Sequence, residues 1–290
     1  MYGSLTRYKM GYVELGLVTD TAADLSPRVL EEEAVGLVPI YVHLGGRRYK
    51  DWRELTPDAL YQAMRAGAEP VTEPPGVEDF AEVYERYLQI YDRILSLHVS
   101  GELSQTVDRA REAALKVAPT RIRVVDSGTV SAGLGAMVLR AVEMLRKGAE
   151  EEAVVREWER LKRFSLYFSV ADLSHLARNG RLPRFGEVVG NLLGLRPILR
   201  IEKGHIRFLK VAREGAVPEV LARLVLGELE GRPARITIAH TDAKGEWIEG
   251  LKKSLGGALR LEKGRITRSG ATIAANVGLG AIAIHAYSIE

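Results

Sequence analysis

Short apolar runs recur along the first half of the chain, and each is followed by a stretch whose apolar positions repeat at helical spacing. Residues 12–18, 35–42, 94–97 and 121–125 carry the runs, with the length and aliphatic content of buried strands. Ser26-Pro27 supplies an N-cap and a proline at the first helical position, so a helix is predicted to about Glu33. Thr56-Pro57 opens a second, with Ala59, Leu60 and Met64 on one face. Residues 80–91, 104–117 and 131–145 are predicted helices as well. Gly45-Gly46 marks a turn with a short return at 47–50, and residues 69–76 form a proline-rich loop. Strands alternating with helices in this way predict a parallel sheet covered by helices. Such sheets take ligands beyond the carboxyl ends of their strands, where Asp20, Ser100 and Asp126 all stand.

After Gly148 the pattern changes. A charged amphipathic helix is predicted at 150–163, a strand at 166–170, and a short helix at 173–179 ended by Gly180. An apolar run follows at 188–195. Residues 197–201 and 206–211 flank Lys203-Gly204 and predict a hairpin. Further on, 218–229 and 246–254 read as helices, 235–240 and 259–266 as strands, and 278–287 as a buried apolar run. The fold class expected is α/β: an N-terminal parallel-sheet α/β/α domain over residues 12–165, and a second α/β domain with a largely antiparallel sheet over 166–290. Residues 1–11 read as a polar N-terminal extension, with Met10 as an alternative start.

Composition narrows the function. The 290 residues are 46% hydrophobic and 27% charged, as in an ordinary globular protein with a substantial core. Forty-one basic residues face 38 acidic ones, and the net charge of +3 is scattered rather than clustered, so no nucleic-acid partner is expected. The absence of cysteine excludes disulfides, thiol catalysis and cysteine-ligated metals. The six histidines show no paired ligand spacing, so no metal is expected. No apolar run reaches the length of a membrane span, and no apolar signal core opens the chain, so a cytoplasmic location is expected. The scarcity of Asn and Gln suits a heat-adapted protein.

The candidate chemistry centres on residues 94–106. Ile94, Leu95 and Leu97 lead into a turn with Ser100, Gly101, Ser104 and Thr106, and a helix follows. The first turn of a helix presents unpaired N–H groups and partial positive charge, a ready receptor for anions. Glu102 sits in the turn and no Lys or Arg does, which favours a small anion such as a carboxylate or a single phosphate over a polyphosphate. The plainer reading is that Ser100 or Ser104 caps the helix. Asp20 and Asp126 read as turn or cap residues, His98 as a core residue and His240 as a satisfied histidine at a strand end. No serine has a His–Asp partner pattern, so hydrolysis is not expected.

These residues resemble the DegV family over nearly the whole chain from about residue 13. Residues 18–25 (VTDTAADL) are similar to the family's opening VTDSTxDL, and Asp51 resembles the acidic residue after its second strand pair. Val71-Thr72-Glu73-Pro74-Pro75 falls where the family has TSQP, and residues 99–106 resemble SSxLSGT. Asp126-Ser127 with Gly133-Leu134-Gly135 matches DS…GLG, Asn179-Gly180-Arg181-Leu182 is similar to GGRI, and Lys210-Val211-Ala212-Arg213 to a (K/R)xR turn. The resemblance implies a lipid carrier that is not itself an enzyme and needs no cofactor. It would bind one long-chain fatty acid in a tunnel that the second domain closes, and present it to a separate fatty acid kinase subunit. By motif, Ser104, the backbone N–H of Gln105 and Thr72 would hold the carboxylate, with Ser100 in the same turn and Arg181, Arg213 and Asn276 around it. Glu73 replaces a family serine and, as an acid beside a carboxylate, is expected to point outward. Asn276 replaces the histidine before the family's terminal G-x-G; it can hydrogen-bond but cannot carry a proton. The rival reading is a phosphotransferase or sugar-binding subunit related to dihydroxyacetone kinase. It needs a nucleophilic histidine or a phosphate site with metal-binding acids. The chain has no P-loop, and the family's histidine position is Asn276.

Overall fold

A computed structural model describes residues 9–10, 13–181, 194–256 and 261–290. Most of the expected extension at 1–11, Leu182, and the apolar run at 188–195 up to residue 193 lie outside the described residues. The two-residue strand β1 (Lys9–Met10) pairs with the start of β2 (Val13–Asp20). A 3-10 turn, Thr21–Ala23, and helix α1 (Pro27–Glu32) follow, then β3 (Val35–Val38). The run at 35–42 was expected as one strand, but it breaks at Pro39, which has no N–H to give a ladder. Beyond the break, β4 (Tyr41–Leu44) leaves the parallel sheet. It forms an antiparallel sheet of its own with β5 (Arg47–Lys50) and β6 (Val71–Glu73), a strand inside the expected proline-rich loop. Helix α2 (Pro57–Arg65) is capped by Thr56, whose Oγ1 accepts from the Ala59 N–H at 3.3 Å. Helix α3 (Val77–Leu88), β7 (Arg93–His98), α4 (Thr106–Val117), β8 (Ile122–Asp126), α5 (Ser131–Arg146) and α6 (Glu151–Leu161) complete this half.

Strands β3, β2, β7 and β8 lie side by side and parallel. Strand order therefore reverses between β2 and β7, and their carboxyl ends open the crevice in which doubly wound sheets hold ligands. The side chains of Asp20 and Asp126 both serve the turn after β7: Asp20 accepts from the Val99 N–H at 3.0 Å and Asp126 from the Gly101 N–H at 3.0 Å.

The second half contains β9 (Leu166–Ser169), α7 (Ser174–Arg178), β10 (Leu195–Glu202), β11 (His205–Arg213), α8 (Val217–Leu229), β12 (Ala234–Thr241), α9 (Gly245–Gly256), β13 (Leu261–Arg268), α10 (Ala271–Val277) and β14 (Ala281–Ser288). Its six strands run in the order β11-β10-β9-β14-β12-β13, antiparallel except for the β12–β13 pair. Alternation along the strands divides the sheet's faces. Tyr167, Ile198, Ile236 and Ile238 pack with Val225 of α8 and Trp247 of α9. Leu166, Phe168, Leu199 and Ala239 turn the other way, toward Ala132 at the start of α5. Helix α10 docks on the first half: Ala271 and Ala274 pack with Val42, Leu60 and Tyr61, and the Tyr61 hydroxyl donates to the Ser269 carbonyl at 2.7 Å.

Candidate ligand-binding site

A cavity lies where the two halves meet, with about 840 Å3 of space between atoms, counting the part open to solvent. Leu166, Phe168 and Ile201 of the second sheet line it on one side, and Leu103, Val130 and Ile273 on others. Aliphatic and aromatic walls of this kind suit a hydrocarbon. Thr72, Asn276 and Arg181 in the lining are linked by hydrogen bonds, and Ser104 lines the same cavity next to Leu103, whose carbonyl Arg181 holds.

Each reaches the cavity from a different element. Thr72 is the middle residue of β6, opposite Val42. Ser104 closes the turn after β7; its Oγ lies 2.7 Å from Thr106 Oγ1 and accepts from the Thr106 N–H at 3.3 Å. Arg181 follows α7, where Gly180 takes a positive φ of 69° that ends the helix. Asn276 lies in the last turn of α10. Its Nδ2 donates to Thr72 Oγ1 at 3.2 Å and to the Thr272 carbonyl at 2.7 Å, while its Oδ1 accepts from Arg181 Nη1 at 2.8 Å. Arg181 also donates through Nε to the Leu103 carbonyl at 2.8 Å and through Nη1 to the Asn179 carbonyl at 2.9 Å. Asn179 completes the frame by accepting from the Thr72 N–H at 3.3 Å.

The electrostatics follow from this list. Among the described residues no carboxylate pairs with Arg181; its partners are neutral oxygens. Burial alone lowers the guanidinium's pKa, the mark of a charge taken from water without a counter-ion. Arginine stays charged under such a shift. Among the described residues the group is therefore a cation without a carboxylate partner at the wall of an apolar cavity whose lining also holds the Thr72 and Ser104 hydroxyls. It can accept a small anion through charge-assisted hydrogen bonds.

The other expected site residues are placed elsewhere. Ser100 is fully buried and outside the lining; its Oγ donates to the Gly204 carbonyl at 3.3 Å and accepts from the Glu102 N–H at 3.2 Å, bracing the turn against the β10–β11 hairpin. Gly204 has a φ of +85°, and a Cβ there would stand 2.5 Å from Ser100 Oγ, so the hairpin approaches this closely only with glycine. Gln105, expected to contribute its backbone N–H, is the N-cap residue of α4 directly after Ser104; its side chain is exposed and outside the lining, which leaves the expectation for its backbone as it was. Arg213 stands exposed at the end of β11, opposite Leu195, and is absent from the cavity lining; Ala212 beside it packs on the sheet face away from the cavity, so it is the position at the strand's end, not the facing, that keeps Arg213 from the site. Glu73 does point away from the cavity: it meets His43 Nε2 at 2.6 Å and Arg48 at 3.3 Å.

The reading that no serine has a His–Asp partner is overturned. His98 Nδ1 lies 2.9 Å from Asp20 Oδ2, and its Nε2 lies 2.6 Å from Ser96 Oγ. All three side chains are fully buried, and Ser96 Oγ also meets the Tyr84 hydroxyl at 2.8 Å. Residues two apart on β7 share a face, which sequence reading overlooked. The relay has a triad's connections without access to a substrate.

Two residues of the motif series stand behind the cavity. Asp24 and Asp51 are fully buried, and desolvation pushes each carboxyl up to about 6. Both accept hydrogen bonds from the segment that opens α10. Among the described residues no group of three His, Asp or Glu side chains could hold a metal ion, and no helix is long and apolar enough to cross a membrane.

Comparison with known proteins follows the same lines. The family model described as "Uncharacterised protein, DegV family" matches residues 14–288. A DegV domain-containing protein of Streptomyces coelicolor is 33% identical over 278 residues, 93% of this chain and 97% of its own. A Thermus thermophilus structure described as fatty acid binding of a DegV family protein is 38% identical, covers 95% of this chain and 99% of its own, and superposes with a TM-score of 0.88. A Thermotoga maritima structure described as a DegV lipid-binding protein is 29% identical, covers 95% and 99% of the two chains, and has a TM-score of 0.83.

Proposed function

The chain belongs to the DegV family, and from that premise we propose that it binds one long-chain fatty acid and acts as its carrier. The carboxylate sits against the Thr72 and Ser104 hydroxyls, with Arg181 supplying the counter-charge and Asn276 orienting the set. The acyl chain runs into the cavity, residues 12–165 forming the lobe with the serine turn and 166–290 the lobe that closes over it. The observation that carries this reading is Arg181, a half-buried cation whose described partners are all neutral, in the lining of an aliphatic cavity that also holds the Thr72 and Ser104 hydroxyls. A buried carboxylate is costly unless hydrogen-bonded, and a guanidinium and two hydroxyls in one cavity lining support the reading that it would be met there. Each buried CH2 adds about 0.8 kcal/mol, so the tail dominates affinity and the head group sets orientation.

The carrier needs no cofactor and catalyses nothing itself. The Asp20–His98–Ser96 relay is sealed from ligand, and Asn276 cannot shuttle a proton as the family's histidine could. A separate cytoplasmic kinase subunit would phosphorylate the presented carboxylate. The test is a titration with palmitate, following displacement of a fluorescent acyl probe. Saturation at one palmitate per chain is expected. No displacement of the probe, together with ADP release when the protein is given ATP and dihydroxyacetone, would replace this reading with the phosphotransferase one.

A further inference from the structure

Helix α10 is held at its start by two carboxylates that come from the other end of the sequence. Asp51 accepts from the N–H groups of Ala271 at 3.0 Å and Thr272 at 2.9 Å, across more than two hundred residues of chain. Asp24 accepts from the Gly270 N–H at 2.8 Å, the Ser269 hydroxyl at 2.8 Å and the Ser131 hydroxyl at 2.5 Å. Thr21 Oγ1 lies 3.3 Å from Thr272 Oγ1 beside them. Capping a short helix ordinarily takes one local side chain. That route is closed here: a Cβ at Gly270, the N-cap position, would stand 2.3 Å from Trp52 Nε1 and 3.2 Å from Asp51 Oδ2. Burying two acids carries a large desolvation cost, more than a local cap requires. One turn after these contacts, the Asn276 amide is fixed by the Thr272 carbonyl and divides its two ends between Arg181 and Thr72. A helix of seven residues is one rigid piece of about 10 Å, so a shift at its start arrives at Asn276 almost undamped.

We propose that Asp51, supported by Asp24, is a positioning residue for head-group recognition. It seats α10 on the first lobe at the depth where Asn276 holds the Thr72 hydroxyl and the Arg181 guanidinium around one anion. Asp51 touches no ligand; it acts through α10. The inference rests on the fatty-acid reading, and the experiment separates the two.

Palmitate and hexadecanol share a tail and differ in head-group charge. Their dissociation constants are measured for the intact protein, Asp51→Asn, Asn276→Ala and the double variant. Asp51→Asn weakens palmitate about tenfold and leaves hexadecanol within about twofold, and the double variant is no weaker for palmitate than Asn276→Ala alone within about twofold. A merely structural cap predicts equal loss for both ligands. That result, or single effects that multiply in the double variant, overturns the proposal. Should Asp51→Asn fail to fold, Thr21→Val removes the hydroxyl beside Asp51 and Thr272, and about threefold weaker palmitate with unchanged hexadecanol is expected. Unchanged palmitate overturns it there. Failure of the unaltered protein to bind either compound removes the fatty-acid reading itself.

Discussion

Two hydroxyl-bearing sets take a serine from β7 or the turn just after it, and of the two only the set with Ser104 lines a cavity. In the sealed network, Ser96, His98 and Asp20 are joined by short bonds and fully buried, with an acid already facing the histidine. In the open one, Ser104 and Thr72 face a cavity, and the half-buried cation Arg181 has only neutral oxygens for partners among the described residues. The residue types alone suggest the opposite assignment, with the Ser–His–Asp set as the reactive one. What decides is access and charge: the sealed relay is complete in itself, whereas among the described residues the cation at the rim is met by neutral oxygens alone.

Arg181→Met tests the contrast most severely, because it keeps the apolar stem and removes the charge. Hydrogen bonds to charged groups contribute about 1.5–3 kcal/mol, so palmitate affinity is expected to fall about 10- to 100-fold by displacement titration. An unchanged constant would detach the cation from the site. Next in size is Ser104→Ala combined with Thr72→Ala, which removes two neutral donors and is expected to cost about tenfold in the same titration, with the melting curve retained. On the sealed side the pattern reverses. Ser96→Ala is expected to lower unfolding free energy by about 1–3 kcal/mol in urea, because His98 and Tyr84 lose a buried partner, and to leave palmitate binding unmoved. A loss of binding there would erase the distinction between the networks.

The smallest effect is a slope with pH. Burial pushes the carboxyls of Asp24 and Asp51 up to about 6 from an ordinary value of 3.8. A raised carboxyl means the folded protein keeps protons that the unfolded chain releases. Its stabilising contribution is present below about pH 4 and is lost as pH rises through about 6. The unfolding free energy of the unaltered protein minus that of Asp51→Asn should therefore fall between pH 4 and 6 and level off above 7. A flat difference would place the Asp51 carboxyl outside a desolvated environment.

Much of the fold is legible because it is local. The four parallel strands follow from aliphatic runs, and the β10–β11 hairpin from its Lys203-Gly204 turn. Helix α10 is not legible this way: it is short, bounded by Gly270 and Gly278, and all but one of its residues are buried, so it has no polar face to give a period. The site follows the same division. Ser104 is signalled by a strand, a turn and a helix in succession. Thr72, Arg181 and Asn276 carry no local signal, and only similarity to family motifs singles them out. The same motifs also pointed to Arg213 and Ser100, which are absent from the cavity lining, because a motif records which residues recur and not what each one touches. Residues 96 and 98 were within reach of sequence reasoning, since positions two apart on a strand share a face.

The account stands or falls on what occupies the cavity in the protein as it is purified. Extraction with organic solvent and mass spectrometry of the extract would read this directly. A single class of long-chain fatty acid, close to one molecule per chain, is the expected result, with the Arg181→Met protein largely depleted of it. An extract free of fatty acid, from protein that also fails to take up added palmitate, would contradict the assignment.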